Sequence, residues 1–283
     1  MSDATSGNTE QATYWEGRSR SWIEAEDWTG VVTGPFGRLA MDRLALRHGD
    51  DVLDVGCGTG PTTIEIARRV VPGGSALGVD IAPSMLDVAR DRAERSGVER
   101  TTFRAADAQV DELPQVDAVF SQFGVMFFVD PAAAFANLHG ALRDGGRIAF
   151  CCWQDLFSNE WMFVPGAAAM SVTGQPPPMP GPGEPGPFSL SEEGLAERLL
   201  VGAGFGDVEV VPHQAEVVVD EGRIDEVVSA ASKVGAVREA MASTEDPAVR
   251  EQIRSAVRDA LRDRVDRGRL RLGSAAWIVS ATA

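Results

Sequence analysis

The segment 51–60, with the sequence DVLDVGCGTG, constrains the fold of this chain more than any other segment. Residues 51–55 predict a short buried strand, and the glycine loop that follows, residues 56–60, has a glycine at every second position. Glycine adopts positive φ angles and lets backbone N–H groups approach a ligand closely. A helical segment is expected over 62–70, and the N-terminus of a helix favours a negatively charged ligand group. The sequence therefore predicts a ligand-binding turn in an α/β fold.

Strands and helices are expected to alternate along most of the chain. Further strands are predicted over residues 76–79, 101–105, 116–121, 147–153, 208–219 and 275–282. Helices are predicted over 14–47, 62–70, 83–96, 131–143 and 191–203. This alternation is typical of βαβ units, so we predict an α/β fold with a doubly wound, mostly parallel sheet.

Three aspartates mark the ends of the first three predicted strands. A glycine-rich turn alone is often only a tight turn, but Asp80 lies about 20 residues beyond Gly60, where dinucleotide-binding folds place an acid that accepts ribose hydroxyls. Asp107, at the end of the third strand, is suited to an adenine amino group. Asp54 precedes glycines spaced G-x-G-x-G. An acid at that position would repel a pyrophosphate and suit a cationic amino-acid moiety, which argues against a nicotinamide dinucleotide.

Charge and cysteine content restrict the partners. The chain has 26 basic and 42 acidic residues and a formal charge of −16, which argues against a nucleic-acid partner because phosphates need clustered cations. The sequence contains no run of about 18 apolar residues, so no membrane span is expected. The polar N-terminus does not resemble a signal peptide. Three cysteines, two of them adjacent, fit neither a disulfide framework nor a zinc site. We expect a cytoplasmic protein with reduced thiols and no bound metal.

The chain is interpreted as one domain over residues 14–283, preceded by a disordered tail over 1–13. Two segments do not fit the alternation of strands and helices. Residues 155–190 include a proline-rich run, and residues 222–268 are largely helical. Both are expected to be insertions that form a lid over one rim of the sheet.

Taken together, the motifs resemble the class I S-adenosylmethionine-dependent methyltransferases. DVLDVGCGTG is similar to the first motif of that family, GVDIAPSML to the second, AADA to the third, and VDAVFSQFGVMFF with LRDGGRIAF to the fourth and fifth. The match is clear over about residues 50–153 and looser elsewhere. Within the family, the sequence most resembles the small-molecule methyltransferases of ubiquinone and menaquinone biosynthesis. The resemblance implies S-adenosyl-L-methionine as cofactor and a seven-stranded sheet in the order 3-2-1-4-5-7-6, with the last strand antiparallel.

The resemblance also implies a set of site residues. Asp54 and the glycines would hold the methionine part of the cofactor, Asp80 the ribose, and Asp107 the adenine amino group. The implied cofactor-binding residues are Asp54, Gly56, Gly58, Gly60, Asp80, Ile81, Met85, Asp107, Ala108, Ser121, Tyr14 and Trp22. The implied substrate-facing residues are Gln122, Phe123, Trp153 and Trp161. Trp153 and Trp161 could equally attach the lid to the sheet.

The expected reaction is methyl transfer to a small-molecule acceptor by in-line displacement in a lid-covered site. Alignment of the acceptor and exclusion of water supply much of the rate, so a dedicated base is optional. His213, on the sixth predicted strand near the lid, is the candidate for such a base. An NAD-dependent oxidoreductase and a non-catalytic cofactor-binding regulatory module remain as alternatives, and the sequence leaves the acceptor and a homodimer open.

Overall fold

The computed structural model describes residues 4–176, 180 and 184–283, and its central feature is one eight-stranded sheet. The strands are β1 Asp51–Val55, β2 Ser75–Asp80, β3 Thr101–Ala105, β4 Val116–Gln122, β5 Leu142–Trp153, β6 Gly206–Asp220, β7 Val265–Asp266 and β8 Arg269–Thr282. Their order is β3-β2-β1-β4-β5-β8-β6, and the two-residue β7 pairs only with β8. The predicted α/β fold is therefore confirmed, with β8 in the place of the seventh predicted strand.

The sheet is parallel from β3 to β5 and antiparallel at β8. β1 pairs in parallel with both β2 and β4, whereas β8 runs antiparallel to β5 and β6. The central strands are buried on both faces, which explains their nearly continuous apolar sequences. Because parallel strands end on the same edge, the carboxyl ends of β1 to β4 meet there, and that is where an open α/β sheet binds ligands.

Ten helices flank the sheet within the described residues. They are α1 Ala4–Glu24, α2 Glu26–Arg43, α3 Pro61–Val70, α4 Pro83–Ser96, α5 Pro131–Gly140, α6 Glu160–Thr173, α7 Leu195–Gly202, α8 Ile224–Ala231, α9 Gly235–Ala242 and α10 Pro247–Arg262. At the start of α10 the Asp246 side chain accepts the N–H of Ala248, and Pro247 occupies the first turn. No helix in this part of the chain is long and apolar enough to cross a membrane.

The N-terminal segment differs from the expected disordered tail. Residues 4–13 form the first turns of α1, and residues 1–3 lie outside the described ranges. The physical reason is a tertiary contact that composition does not reveal. The Trp15 ring stacks with Trp22 at 5.7 Å and meets Phe127 edge-on at 4.7 Å. These contacts hold α1 against the fold, and its small polar residues extend the helix beyond them.

The expected lid segments contain four helices. The proline-rich segment 155–190 includes α6, which continues through Pro165, while residues 177–179 and 181–183 lie outside the described ranges. The side chain of Asn159 makes two hydrogen bonds with the backbone of Ala275, each at 3.0 Å: it accepts one from the N–H and donates one to the carbonyl. These bonds attach the start of α6 to β8. Ile253, Val257 and Leu261 recur at four-residue spacing on one face of α10 and are fully inaccessible.

Candidate functional site

A cavity of about 250 Å³ lies at the edge of the sheet where β1 to β4 end. Its floor comes from the loops that follow these strands. Its roof comes from α1, through residues such as Trp15 and Trp22, and from residues 26–33 at the start of α2. The cavity therefore unites the glycine loop with the ends of the three neighbouring strands.

The glycine loop adopts a backbone that its three glycines permit. Gly56, Gly58 and Gly60 have φ angles of +68°, +53° and +82°. A Cβ at Gly60 would stand 2.9 Å from the ring of Phe103, so close packing requires the glycine. A Cβ at Gly58 would meet only the sulfur of Met85 at 3.8 Å, and Gly58 lines the cavity. Any side chain there would fill space that the backbone leaves for a ligand, whereas Gly60 does not itself line the cavity.

Asp80 lines the cavity beside this loop. Its carboxylate accepts the N–H of Gly58 at 2.8 Å and the N–H of Ala82 at 2.9 Å. Burial raises the pKa of Asp80, while these backbone bonds act in the opposite direction. A carboxylate offers about four acceptor positions, and those that the backbone N–H groups do not use remain for donors in the cavity. The structure thus holds this side chain in a fixed orientation suited to hydroxyl groups of a ligand.

Asp54 lies beneath the glycine loop and does not line the cavity. It is 1% exposed, and one carboxylate oxygen accepts the hydroxyls of Thr62 and Thr63 at 2.7 and 2.6 Å. The other oxygen, Oδ1, has no hydrogen-bond partner among the described residues. Burial raises the pKa of Asp54 to about 7, the hydroxyl bonds oppose this, and the charge of Asp80 adds to it. A buried, unpartnered oxygen at this position fits a nearby cationic group.

The residues that follow β2 and β3 form the far end of the cavity. Ile81, Met85, Asp107 and Ala108 all line it. The Asp107 carboxylate accepts the N–H of Gln109 at 2.9 Å, and burial raises its pKa. These four predicted residues are therefore brought together with Asp80, on the side of β1 away from β4.

Gln122 and Phe123 line the opposite end, after β4. Gln122 donates from Nε2 to the Thr33 hydroxyl at 3.2 Å, and a Cβ at Gly37 of α2 would stand only 1.6 Å from its Oε1. Phe123 has a φ angle of +59°, a region that bulky residues avoid because it costs about 1–3 kcal/mol. Its ring stacks on Trp153 at 3.8 Å, so packing holds it in this conformation.

Five predicted site residues beyond Asp54 and Gly60 lie outside the cavity lining. The Ser121 hydroxyl bonds to the carbonyl of Val55 at 2.8 Å, and the Tyr14 ring is 41% exposed. Trp153 lies behind Phe123, and Trp161 packs on Trp153 at 5.3 Å. These two tryptophans connect α6 to the sheet, as the lid-attachment interpretation predicts. His213 packs edge-on against Phe36 at 5.8 Å and is not brought to the site.

Several lining residues were not predicted from the sequence. Glu26, at the start of α2, accepts hydrogen bonds from Nη1 and Nη2 of Arg92, at 2.6 and 2.5 Å, and from the hydroxyl of Thr59. Burial of the Glu26 carboxyl opposes ionisation, but the bonds from Arg92 and Thr59 lower its pKa. Asn8 and Gln11 of α1 line the roof, and Nδ2 of the first and Oε1 of the second have no partner in the described ranges. An acid in the first turn of a helix is common, so no local pattern distinguishes Glu26.

The three cysteines are free and buried. Cys57 lines the cavity, and burial raises its pKa well above the ordinary value. Burial also raises the pKa of Cys151 well above that value and the pKa of Cys152 to about 12, so neither is an activated thiolate. In the described part of the chain, no group of three His, Cys, Asp or Glu residues could hold a metal ion.

Comparisons with known proteins agree with this geometry. Residues 52–146 match the family described as a methyltransferase domain. The aklanonic acid methyltransferase DauC of a Streptomyces species is 36% identical over 118 residues, which are 41% of this chain and 54% of that protein. The ubiquinone/menaquinone biosynthesis C-methyltransferase UbiE of Saccharophagus degradans is 37% identical over 125 residues, 42% of this chain and 50% of that protein. The chain spans about half the length of the curated relatives it matches.

The solved structure of the YcgJ protein of Bacillus subtilis superposes with a TM-score of 0.56 and 15% identity, over 87% of this chain and 97% of that one. This likeness concerns the fold alone. The family match covers the segment that carries the glycine loop, Asp80, Asp107 and the end of β4. The resemblance noted in the sequence is therefore confirmed over residues 52–146, which match the methyltransferase-domain family.

Proposed function

We propose that this protein transfers a methyl group from S-adenosyl-L-methionine to a small organic acceptor. The observation that carries the proposal is the single cavity that joins the glycine loop, Asp80 and Asp107 at one end with Gln122 and Phe123 at the other. The proteins DauC and UbiE, which match this segment, are named as methyltransferases of small molecules. When bound, S-adenosyl-L-methionine supplies an electrophilic methyl group on a sulfonium that is a good leaving group.

The residues at the β1 to β3 end fit the cofactor. Asp80 would accept the two ribose hydroxyls with its remaining lone pairs, and Asp107 with Ala108 would meet the adenine amino group. Ile81 and the buried Met85 would pack on the adenine. The glycine loop would lie against the methionine part of the cofactor.

Two further features fit the amino-acid portion of the cofactor. The unpartnered Oδ1 of Asp54 lies under the glycine loop, where it would stabilise the ammonium group through the field of a buried carboxylate. The unpartnered amide atoms of Asn8 and Gln11 lie in the roof and supply one donor and one acceptor to whatever the cavity holds. Buried polar groups are rarely left unpaired, which supports a polar ligand between floor and roof.

The residues at the β4 end would hold the acceptor. Gln122 and Phe123 would align the attacking atom, and the rings of Trp15, Trp22 and Phe127 would exclude water from it. In-line displacement depends on such alignment, because a well-oriented reaction gains several kcal/mol over the reaction in solution, on the order of 7–11 kcal/mol at best.

Isothermal calorimetry with S-adenosylhomocysteine tests the cofactor assignment, and NADH in the same buffer serves as the control. We expect binding of the first and none of the second. At a concentration 100 times the dissociation constant, binding should also stabilise the folded protein by about 2.7 kcal/mol. Stabilisation by NADH alone would overturn the proposal in favour of an oxidoreductase.

Transfer itself is tested with a radiolabelled methyl donor and a panel of small phenols, carboxylic acids, quinols and amines. We expect label in at least one acceptor, with S-adenosylhomocysteine formed in equal amount. Binding of the cofactor without transfer to any member of the panel would favour a non-catalytic cofactor-binding module instead.

A further inference from the structure

Few of the side chains that line the cavity can ionise. In the described part of the chain they are Glu26, Cys57, Asp80 and Asp107. Asp80 ends β2 and Asp107 follows β3, and β1 separates these two strands from β4 in the sheet. They therefore belong to the end of the cavity away from Gln122, where the acceptor is expected.

Neither of the two remaining groups is suited to remove a proton. The Glu26 carboxylate is held by the guanidinium of Arg92 and the hydroxyl of Thr59, and its pKa is lowered even though burial opposes this. The Cys57 thiol is protonated at neutral pH, because burial and the charges of Asp54 and Asp80 raise its pKa well above the ordinary value. A general base needs a pKa near the operating pH, and both groups lie far from it.

The histidine that the sequence marks as the candidate base does not fill this role. His213 is half-buried on β6, where its ring packs against Phe36, and it does not line the cavity. The end of the cavity near β4 therefore presents aromatic rings and neutral polar groups.

One of these neutral groups has a defined orientation. The Gln122 amide donates one N–H to Thr33, whose own hydroxyl donates to the carbonyl of Thr29 at 2.8 Å. The amide carbonyl of Gln122 lies where a Cβ of Gly37 would be, so α2 holds the side chain in place. A primary amide has two N–H donors, and the second is left for an oxygen atom in the cavity.

The aromatic rings near Gln122 favour a flat ligand. Phe123 and Trp153 stack with an interplanar angle of 17°, and Phe123, Phe127 and Phe128 all line the cavity. Parallel and edge-on ring contacts contribute about 0.5–1.5 kcal/mol beyond the area they bury. A conjugated molecule gains most from such walls.

We propose, on the basis of the methyltransferase function above, that the acceptor is a flat conjugated molecule that carries its own acidic O–H group and is methylated as the anion of that group. The transfer forms one bond between the acceptor oxygen and the methyl carbon. It breaks one carbon–sulfur bond, whose electron pair stays on sulfur. An acceptor that enters as an anion brings no proton that the protein must accept, and its charge is opposite to that of the sulfonium. A protonated amine has no free electron pair, and none of the described side chains that line the cavity near β4 takes its proton.

The test uses the full chain, a radiolabelled methyl donor and ring-substituted phenols whose own pKa values range from below to above neutrality, with matched benzylamines. We expect kcat/KM for each phenol to fall about tenfold for each pH unit below the pKa of that phenol. The midpoint should therefore move from one phenol to the next. The benzylamines should react at least about 100-fold more slowly, as expected where no general base assists.

A binding measurement gives an independent readout. Calorimetry with the protein loaded with S-adenosylhomocysteine should show that Gln122→Leu weakens binding of the phenolates about 3- to 10-fold, the effect of one lost hydrogen bond. Gln214→Leu, an exposed glutamine on β6, is the matched control and should leave binding unchanged.

Three results would overturn the proposal. One midpoint shared by all phenols would reveal a base on the protein, and amines that react as fast as phenols would remove the requirement for an acidic group. Transfer to none of the phenols by a protein that binds S-adenosylhomocysteine would also reject this acceptor class. Loss of S-adenosylhomocysteine binding itself would instead reject the function on which the inference rests.

Discussion

The guanidinium of Arg92 donates to both carboxylate oxygens of Glu26, at 2.6 and 2.5 Å. Arg92 belongs to α4 and Glu26 to the start of α2, and the Thr59 hydroxyl joins them from the glycine loop. Both charged side chains are about 28–29% exposed, so the pair is neither fully screened nor fully buried. This contact attaches the roof of the cavity to its floor.

We predict that Glu26→Gln weakens binding of S-adenosylhomocysteine about 3- to 10-fold. Loss of the ion pair frees the start of α2, and the apparent affinity falls with the fraction of molecules whose roof is in place. Calorimetry measures the affinity, and amide hydrogen exchange in α1 and α2 should become faster. Glu251→Gln, which removes an exposed pair with Arg254 on α10, is the control. Equal affinity of the Glu26 variant and the wild type would contradict the prediction.

Asp80→Asn tests the ribose assignment. The substitution removes the charge from the group that faces the cavity and that also accepts the N–H groups of Gly58 and Ala82. Hydrogen bonds to a charged group contribute about 1.5–3 kcal/mol, so affinity for S-adenosylhomocysteine should fall about 10- to 100-fold. The exposed Asp87, paired with Arg90 on α4, provides the control variant Asp87→Asn. An affinity that changes equally in both variants would show that Asp80 does not meet the ligand.

The floor of the cavity could be predicted because its determinants are local. A buried strand, alternating glycines and a helix start lie within twenty residues of one another, and the physics of each is short-range. Asp80 and Asp107 follow from the same logic, since each ends a strand that the apolar pattern marks. Parallel pairing then brings the strand ends together on one edge.

The roof could not be predicted for the opposite reason. Thr59 and Arg92 lie 33 and 66 residues from Glu26 along the chain, and neither partner is marked by any pattern. Asn8 lies in a polar stretch whose helix depends on the tertiary contacts of Trp15. The roles suggested for Trp153 and Trp161 required knowledge of which side of Phe123 faces the cavity, and only the packing supplies that.

Gly37→Ala tests the placement of Gln122. The new methyl group would overlap the Gln122 side chain, since its position lies 1.6 Å from Oε1. Displacement of a positioning side chain by about 1 Å can reduce turnover about 100-fold, whereas S-adenosylhomocysteine, proposed to bind at the ends of β1 to β3, should retain its affinity within about twofold. Methyl-transfer kinetics with any active acceptor and calorimetry separate the two effects.

The matched control for this substitution is Gly34→Ala in the same helix, where a Cβ meets only the end of the flexible Arg38 side chain at 3.3 Å. It should keep turnover near the wild-type value. If Gly37→Ala instead lowers kcat and cofactor affinity equally, the substitution disturbs the roof as a whole and Gln122 has no separate role.

Asp54→Asn tests the buried carboxyl through the dependence of stability on pH. The folded-state pKa of about 7 lies above the ordinary value of 3.8, because burial disfavours the charged form. Between these values the folded state holds a proton that the unfolded state has lost. Stability from this group is therefore complete below about pH 4 and declines as pH rises to about 7. A shift of this size corresponds to about 4 kcal/mol across the window. Urea unfolding at several pH values should show this decline in the difference between wild type and Asp54→Asn, because titrating groups that do not interact with Asp54 cancel in the subtraction. Asp87→Asn, at an exposed ion pair on α4, is the control for the loss of one carboxylate. A flat difference for Asp54→Asn would mean that the Asp54 carboxyl ionises in the folded protein as readily as in water.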